Sequence, residues 1–304
     1  MSLQQIITKF IFKLPDGLLV RMAGGKRVEV RGRVLEPQLQ LVAWNGRNAP
    51  PMSTLEPEVV QAAVKEQLAM LEAPLEPSVT TENFTIPGPD RNEIPVRLYK
   101  PSGQDSSVPL LVYYHPAGID DCIAAYEWGV RNAGKYGAPE GMAAVGGDSM
   151  GGNFSAIISQ EMQREHKPLP VYQLLIYPAV DMVEEFPSRT EFGETFSLST
   201  DTMNWFMEQY LPDDFDMSDP LLSPGQTAEL EGLPPAIIIT AGHDPLCDEG
   251  DDYAKRLKSA GVKVTHKRYD TLPHAFTAFS GFSPGSRKAC LEIANMVKDL
   301  VSKL

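Results

Sequence analysis

An α/β architecture, with a mostly parallel central sheet flanked by helices, is what this 304-residue sequence predicts. Three observations carry the expectation. From residue 108 onward, apolar runs alternate with amphipathic segments, the pattern of βαβ units. One strand–helix junction is the bare turn Gly147-Asp148-Ser149-Met150-Gly151. An acid and a histidine, Asp244 and His274, follow at two later strand ends.

Residues 1–80 read as a helical cap. Leu3, Ile6, Ile7, Phe10 and Leu14 recur at helical spacing, and 57–73 repeats the pattern with Val59, Val60, Ala63, Leu68 and Leu71. The period changes near residue 82, where two short β-type runs flank Pro-Asp-Arg-Asn, which predicts a hairpin. "VPLLVYYH" (108–115) is a continuous apolar run, as for a strand buried on both faces. Helix 120–137, strand 142–149, helix 151–166 and strand 171–178 follow. A stretch rich in acids, aromatics and Met (about 182–233) interrupts the alternation and reads as a cap insertion. Strand 235–242, helix 248–261, strand 262–270 and a last helix at 286–304 complete a second domain spanning 81–304. The two segments outside the alternation are expected to form a lid over the carboxyl edge of the sheet, where open α/β sheets bind ligands.

The net charge is −13 and the pI about 4.9. That argues against nucleic acid and anionic membranes as main partners, because both select basic surfaces. Cys122, Cys247 and Cys290 are widely spaced, form no zinc pattern and read as free thiols in a reducing compartment. The N-terminal apolar run is broken by Lys9 and Lys13 and lacks a cleavage site, so a cytoplasmic protein is expected. No segment is long and apolar enough to span a bilayer. No metal or cofactor is expected; a small molecule is.

The turn at Ser149 matches G-x-S-x-G between a strand and a helix, the context of a nucleophile elbow. Residues two before and two after the serine must be small, and Gly147 and Gly151 are. The following helix offers backbone N–H groups to a developing oxyanion, Met150 first. A serine hydroxyl is a weak nucleophile and needs a base, which in turn needs an orienting acid. His274, on a loop after the last strand, is the candidate base. Asp244, at the end of strand 235–242, is the candidate acid. Asp248 and Glu249 are rivals, placed where carboxylates also cap helices. Met203, Trp205, Phe206 and Met207 in the insertion are candidates for a substrate pocket, with ordinary core packing as the equal alternative.

"GDSMGGN", "HDPLCDEG" and "LPHAF", supported by "YYH" and "LPPAIIITAG", resemble the hormone-sensitive-lipase-like bacterial esterases of the α/β-hydrolase fold. The resemblance runs in order over residues 80–304, and residues 1–80 resemble that family's N-terminal cap. It implies hydrolysis of short acyl esters through Ser149, His274 and Asp244, with Met150 N–H as an oxyanion donor, and possible dimers. Amide or lactone hydrolysis by the same residues is a close variant.

The chain departs from the family at one place. There His115 would open an H-G-G-G loop, followed by a helix and a strand; here it runs into "PAGIDDCIAAYEW", a segment the family places about 40 residues later, the size of a βαβ unit. Either "HPAG" is a degenerate loop, with Ala117 and Gly118 as donors, or one helix–strand unit is absent between His115 and Pro116. The second reading is favoured, since Pro116 has no N–H and stiffens the loop. A missing strand should leave backbone groups unpaired or draw the hairpin across. A catalytically impaired binding protein on a hydrolase scaffold is the alternative function.

Overall fold

The computed structural model describes residues 10–71, 73–115, 118–194, 197–212 and 214–304. Leu3, Ile6 and Ile7 therefore lie outside the described residues. Phe10 and Ile11 are helical, but the chain turns before Leu14, and Pro15 opens a separate helix α1 (Asp16–Met22). Leu19 and Ala23 on its inner face pack with Phe12 and with Leu41 of α2 (Pro37–Gly46). Between them runs a minimal hairpin, β1 (Glu29–Val30) and β2 (Arg33–Val34), too short to show any periodicity. Helix α3 (Pro57–Leu71) occupies the second expected position.

The expected hairpin is present as β3 (Val79–Pro87) and β4 (Glu93–Pro101), paired antiparallel throughout. It forms its own two-stranded sheet. The central sheet has five parallel strands in sequential order: β5 (Leu110–Tyr114), β6 (Ala143–Asp148), β7 (Gln173–Ile176), β8 (Ala236–His243) and β9 (Val264–Pro273). Strand β5 is thus an edge. It pairs with β6 from Leu110 to Tyr114, and no strand among the described residues pairs with its other flank. Of the two consequences foreseen for a missing strand, the unpaired edge is the one adopted.

Helices α4 (Ile119–Asn132), α5 (Met150–Arg164) and α8 (Cys247–Ser259) connect the strands, and α9 (Pro284–Val301) closes the chain. The core splits by face. Val145, Tyr114 and Ile86 pack with α4 and α5, whereas Leu174, Ile176, Ile237 and Ile239 pack with Phe276, α2 and α9. Strand β8 is buried at every residue, which explains its unbroken apolar run. The insertion contributes the short α6 (Pro187–Glu191) and α7 (Thr200–Tyr210). Ser53 of the N-terminal region donates to Asp201 of α7 (2.8 Å), so the two segments outside the alternation do touch. No helix among the described residues is long and apolar enough to cross a membrane.

Candidate active site

Ser149 sits between the end of β6 and the start of α5 with φ 56° and ψ −119°, in the left-handed half of backbone space that a residue with a Cβ avoids. The surrounding packing enforces it. A Cβ at Gly147 would lie 2.3 Å from the Gly151 carbonyl carbon, and one at Gly151 would lie 2.0 Å from the Tyr114 carbonyl oxygen. Both glycines are therefore steric necessities of a turn that presses helix α5 against two strands. The result places Ser149 at the N-terminal end of α5.

His274 follows β9 and is buried. Its Nε2 lies 3.0 Å from Ser149 Oγ, and its Nδ1 lies 2.8 Å from Asp244 Oδ2. Asp244 is fully buried after β8, and its other oxygen accepts from Leu246 N (2.9 Å), which fixes the carboxylate plane. The fold thus brings together three residues that are 125 and 30 positions apart in the chain. The rival acids are engaged elsewhere. Asp248 binds Arg31 and Ser188 N; Glu249 binds Arg189, Val180 N and Asp181 N.

The remaining candidates divide. Met150 opens helix α5, next to Ser149. Gly118 is the N-cap of α4, its carbonyl accepting from Cys122 N (3.1 Å), and Ala117 lies outside the described residues. Met203 packs with Met150 on the cluster Ala179, Leu198 and Leu246, beside the serine turn. Trp205 is buried and its ring lies tilted against that of Phe206 (5.2 Å), which is exposed; Met207 is half-buried.

Several residues at the site escape sequence reasoning. The ring of Tyr177, fully buried with φ 36°, lies 4.8 Å from the His274 ring. Its hydroxyl meets Thr277 Oγ1 and lies 3.3 Å from Asp148 Oδ2, while Tyr113 donates to Asp148 Oδ1 (3.1 Å). Burial, and then the Asp148 charge, hold the Tyr177 phenol well above its ordinary pKa, so it is a neutral donor. The one local signal was its place at the end of a strand. His243, next to Asp244, is pushed down to about 4 by burial and by Arg33, and stays neutral. Glu249 is pushed up to about 7, chiefly by burial, against the pull of Arg189.

Residues 113–278, more than half of the chain, match the model of the alpha/beta hydrolase fold family. The chain belongs to the α/β-hydrolase family. This α/β-hydrolase is 33% identical to the carboxylic ester hydrolase LipN of Mycobacterium tuberculosis, over 93% of its own length and 88% of the relative's. It is 35% identical to the esterase LipI of the same organism, over 58% and 55%. Among solved structures, an ester-hydrolase from the metagenome of Lake Arreo is 34% identical with a TM-score of 0.80, covering 85% of this chain and 95% of that one. The LipN alignment spans 331 positions. Since 93% of 304 is about 283, about 48 positions hold LipN residues with no counterpart in this α/β-hydrolase. The LipI alignment spans 177 positions against about 176 residues (58% of 304), and so skips almost none.

Proposed function

We propose that this α/β-hydrolase is a carboxylesterase acting on short-chain acyl esters through an acyl-enzyme. The observation that carries the reading is the continuous hydrogen-bonded line from Ser149 Oγ through His274 to Asp244. In this mechanism Ser149 Oγ attacks the ester carbonyl carbon while His274 Nε2 takes its proton. The tetrahedral intermediate collapses and the alkoxide leaves with that proton. Water, deprotonated by the same nitrogen, then attacks the acyl-enzyme and releases the acid, returning the proton to Ser149. Asp244 holds the imidazole by Nδ1–H and stabilises its cation. The N–H of Met150 faces the developing oxyanion, helped by the N-terminal end of α5. Met203, Trp205, Phe206 and Met207 line the acyl side, and residues 1–80 with 182–233 form a lid that favours short chains by limiting room. The names of LipN and of the Lake Arreo enzyme support ester substrates.

A second reading is a hydrolase-fold binding protein with little turnover. It is favoured by the open edge at β5 and by the roughly 48 LipN positions that have no counterpart here. Each lost oxyanion donor typically costs about 10²–10³ in rate.

p-Nitrophenyl acetate and butyrate turnover, with Ser149→Ala as control, tests the first reading. Turnover abolished by the substitution supports it; an unchanged rate overturns it. Stoichiometric labelling of Ser149 by a fluorophosphonate with no steady turnover selects the second.

A further inference from the structure

The whole-chain charge of −13 is an average over an uneven distribution. Residues 1–50 hold eight Lys and Arg against three Asp and Glu, a net +5; the remaining 254 residues hold nineteen against thirty-seven, a net −18. The positive end is also where the fold leaves apolar side chains outside. Phe10 (67% exposed), Leu18 (47%), Met22 (45%), Val28 (39%) and Trp44 (38%) all fall within 35 residues. We propose that this N-terminal face docks on an anionic lipid surface.

The local construction supports that occupant. Helix α1 and its C-cap pack Leu19 and Ala23 with Leu41 of α2, and the helix presents Leu18 and Met22, one turn apart, outward beside Arg21. Trp44 of α2 lies against Gly24, just past the end of α1, where a Cβ would come within 2.7 Å of the indole. The Arg47 guanidinium sits 3.9 Å over that indole, pairing a cation with an aromatic that suits the headgroup level. The loop bearing Lys26, Arg27 and Val28 is pinned from beneath. The buried side chain of Gln40 donates to Lys26 O (2.6 Å) and accepts from Val28 N (3.1 Å), so both amide atoms hold the loop with its side chains outward. Arg31 and Arg33 are committed to Asp248, Glu191 and Asp270. Lys13, Arg21, Lys26 and Arg27 are exposed and form no ion pair among the described residues. Asp16, Glu29 and Glu36 are the acids on this segment, and Glu36 is committed to Ser283 and to Gly285 N. Unpaired cations interspersed along the chain with exposed apolar side chains are the composition of an interfacial anchor, which combines apolar burial with attraction to anionic headgroups.

The same segment is fastened to the rim of the candidate site. Arg33 donates to Gly242 O (3.0 Å), two residues before Asp244, and Glu36 N donates to Thr271 O (3.0 Å), three before His274. If the esterase reading holds, docking places the site next to lipid-borne esters; the docking itself does not depend on that reading.

Flotation with vesicles of phosphatidylcholine, alone or with one quarter phosphatidylglycerol, tests the proposal without any turnover. The wild type should float with the anionic vesicles at 50 mM salt, remain behind with neutral ones, and be released at 0.5 M. Lys26→Ala and Arg27→Ala should each lower partitioning about fivefold, the equivalent of about 1 kcal/mol per charge. Leu18→Ser with Met22→Ser should abolish it at an unchanged urea midpoint. Equal partitioning to both vesicle types, no partitioning at 50 mM salt, or indifference to Lys26→Ala and Arg27→Ala overturns it. So does a stable dimer in light scattering that Leu18→Ser with Met22→Ser converts to monomer, because a second copy then covers the face.

Discussion

Ser149 keeps an unfavourable backbone conformation because two close approaches, at Gly147 and Gly151, leave it no other. Backbone strain of this kind costs on the order of 1–3 kcal/mol and persists only where packing over-determines it. Gly151→Ala should therefore be among the most damaging single changes, since its methyl would meet the Tyr114 carbonyl with no side chain to yield. We expect a urea midpoint lowered by the equivalent of about 3 kcal/mol or more, together with loss of fluorophosphonate labelling. At the neighbouring histidine, Tyr177→Phe keeps the ring against His274 but removes the hydroxyl between Asp148 and Thr277. The expected result is a near-native midpoint, an unchanged KM and a lower kcat with a displaced acidic limb in the pH–rate profile. An unchanged profile would assign Tyr177 to packing alone. The order Ser149, Asp244, His274 was legible because each residue follows a segment of strand character, an apolar run for the first two and an alternating one for His274, and the strand period locates such ends. Tyr177, Asp148 and Tyr113 were not, because what matters about them is which side chains three separate strands bring into reach.

At the scale of elements, Glu249 links the sheet to the insertion. From the first turn of α8 it receives Val180 N (2.9 Å), Asp181 N (3.4 Å) and Arg189 of α6 (2.7 Å). Its pKa is raised to about 7 from an ordinary 4.5, first by burial. A carboxyl raised on folding contributes stability that is fully present below the unfolded pKa and is lost as pH rises through the folded one. Relative to Glu249→Gln, the wild type should lose on the order of 3 kcal/mol between pH 4.5 and 7 and then level off. Urea midpoints of both proteins across that range measure it; parallel curves would show the carboxyl already ionised at pH 5. Long buried strands and helices from residue 108 onward were legible in the sequence because burial on both faces writes a continuous apolar run. The β1–β2 hairpin was not, since two residues per strand carry no period. The helix expected through Leu14 fails at Pro15, whose ring disfavours helical backbone at the residue before it.

At the scale of the whole molecule, the hairpin forms its own two-stranded sheet and β5 is an edge, the arrangement expected if a helix–strand unit is missing between His115 and Pro116; a sequence cannot show how its neighbours respond to a missing strand. Grafting the corresponding LipN segment there should restore a sixth central strand and raise kcat on p-nitrophenyl butyrate by about 10²-fold, the usual worth of an oxyanion donor. No gain from a soluble, folded graft would mean that the present loop already supplies the donors. The open flank of β5 has one more consequence. Leu110 to Tyr114 contains no charge, proline or glycine to discourage pairing with a foreign chain, whereas β9 at the opposite flank carries Lys267, Arg268 and Asp270. What keeps separate molecules apart is then mutual repulsion of like-charged particles, and it vanishes near the pI of about 4.9. Colloidal shelf life should therefore be shortest close to pH 5, with turbidity growing faster than linearly in concentration. Val108→Lys, beside the bare flank, should lengthen the lag by placing a charge where a growing fibril would seat its next strand.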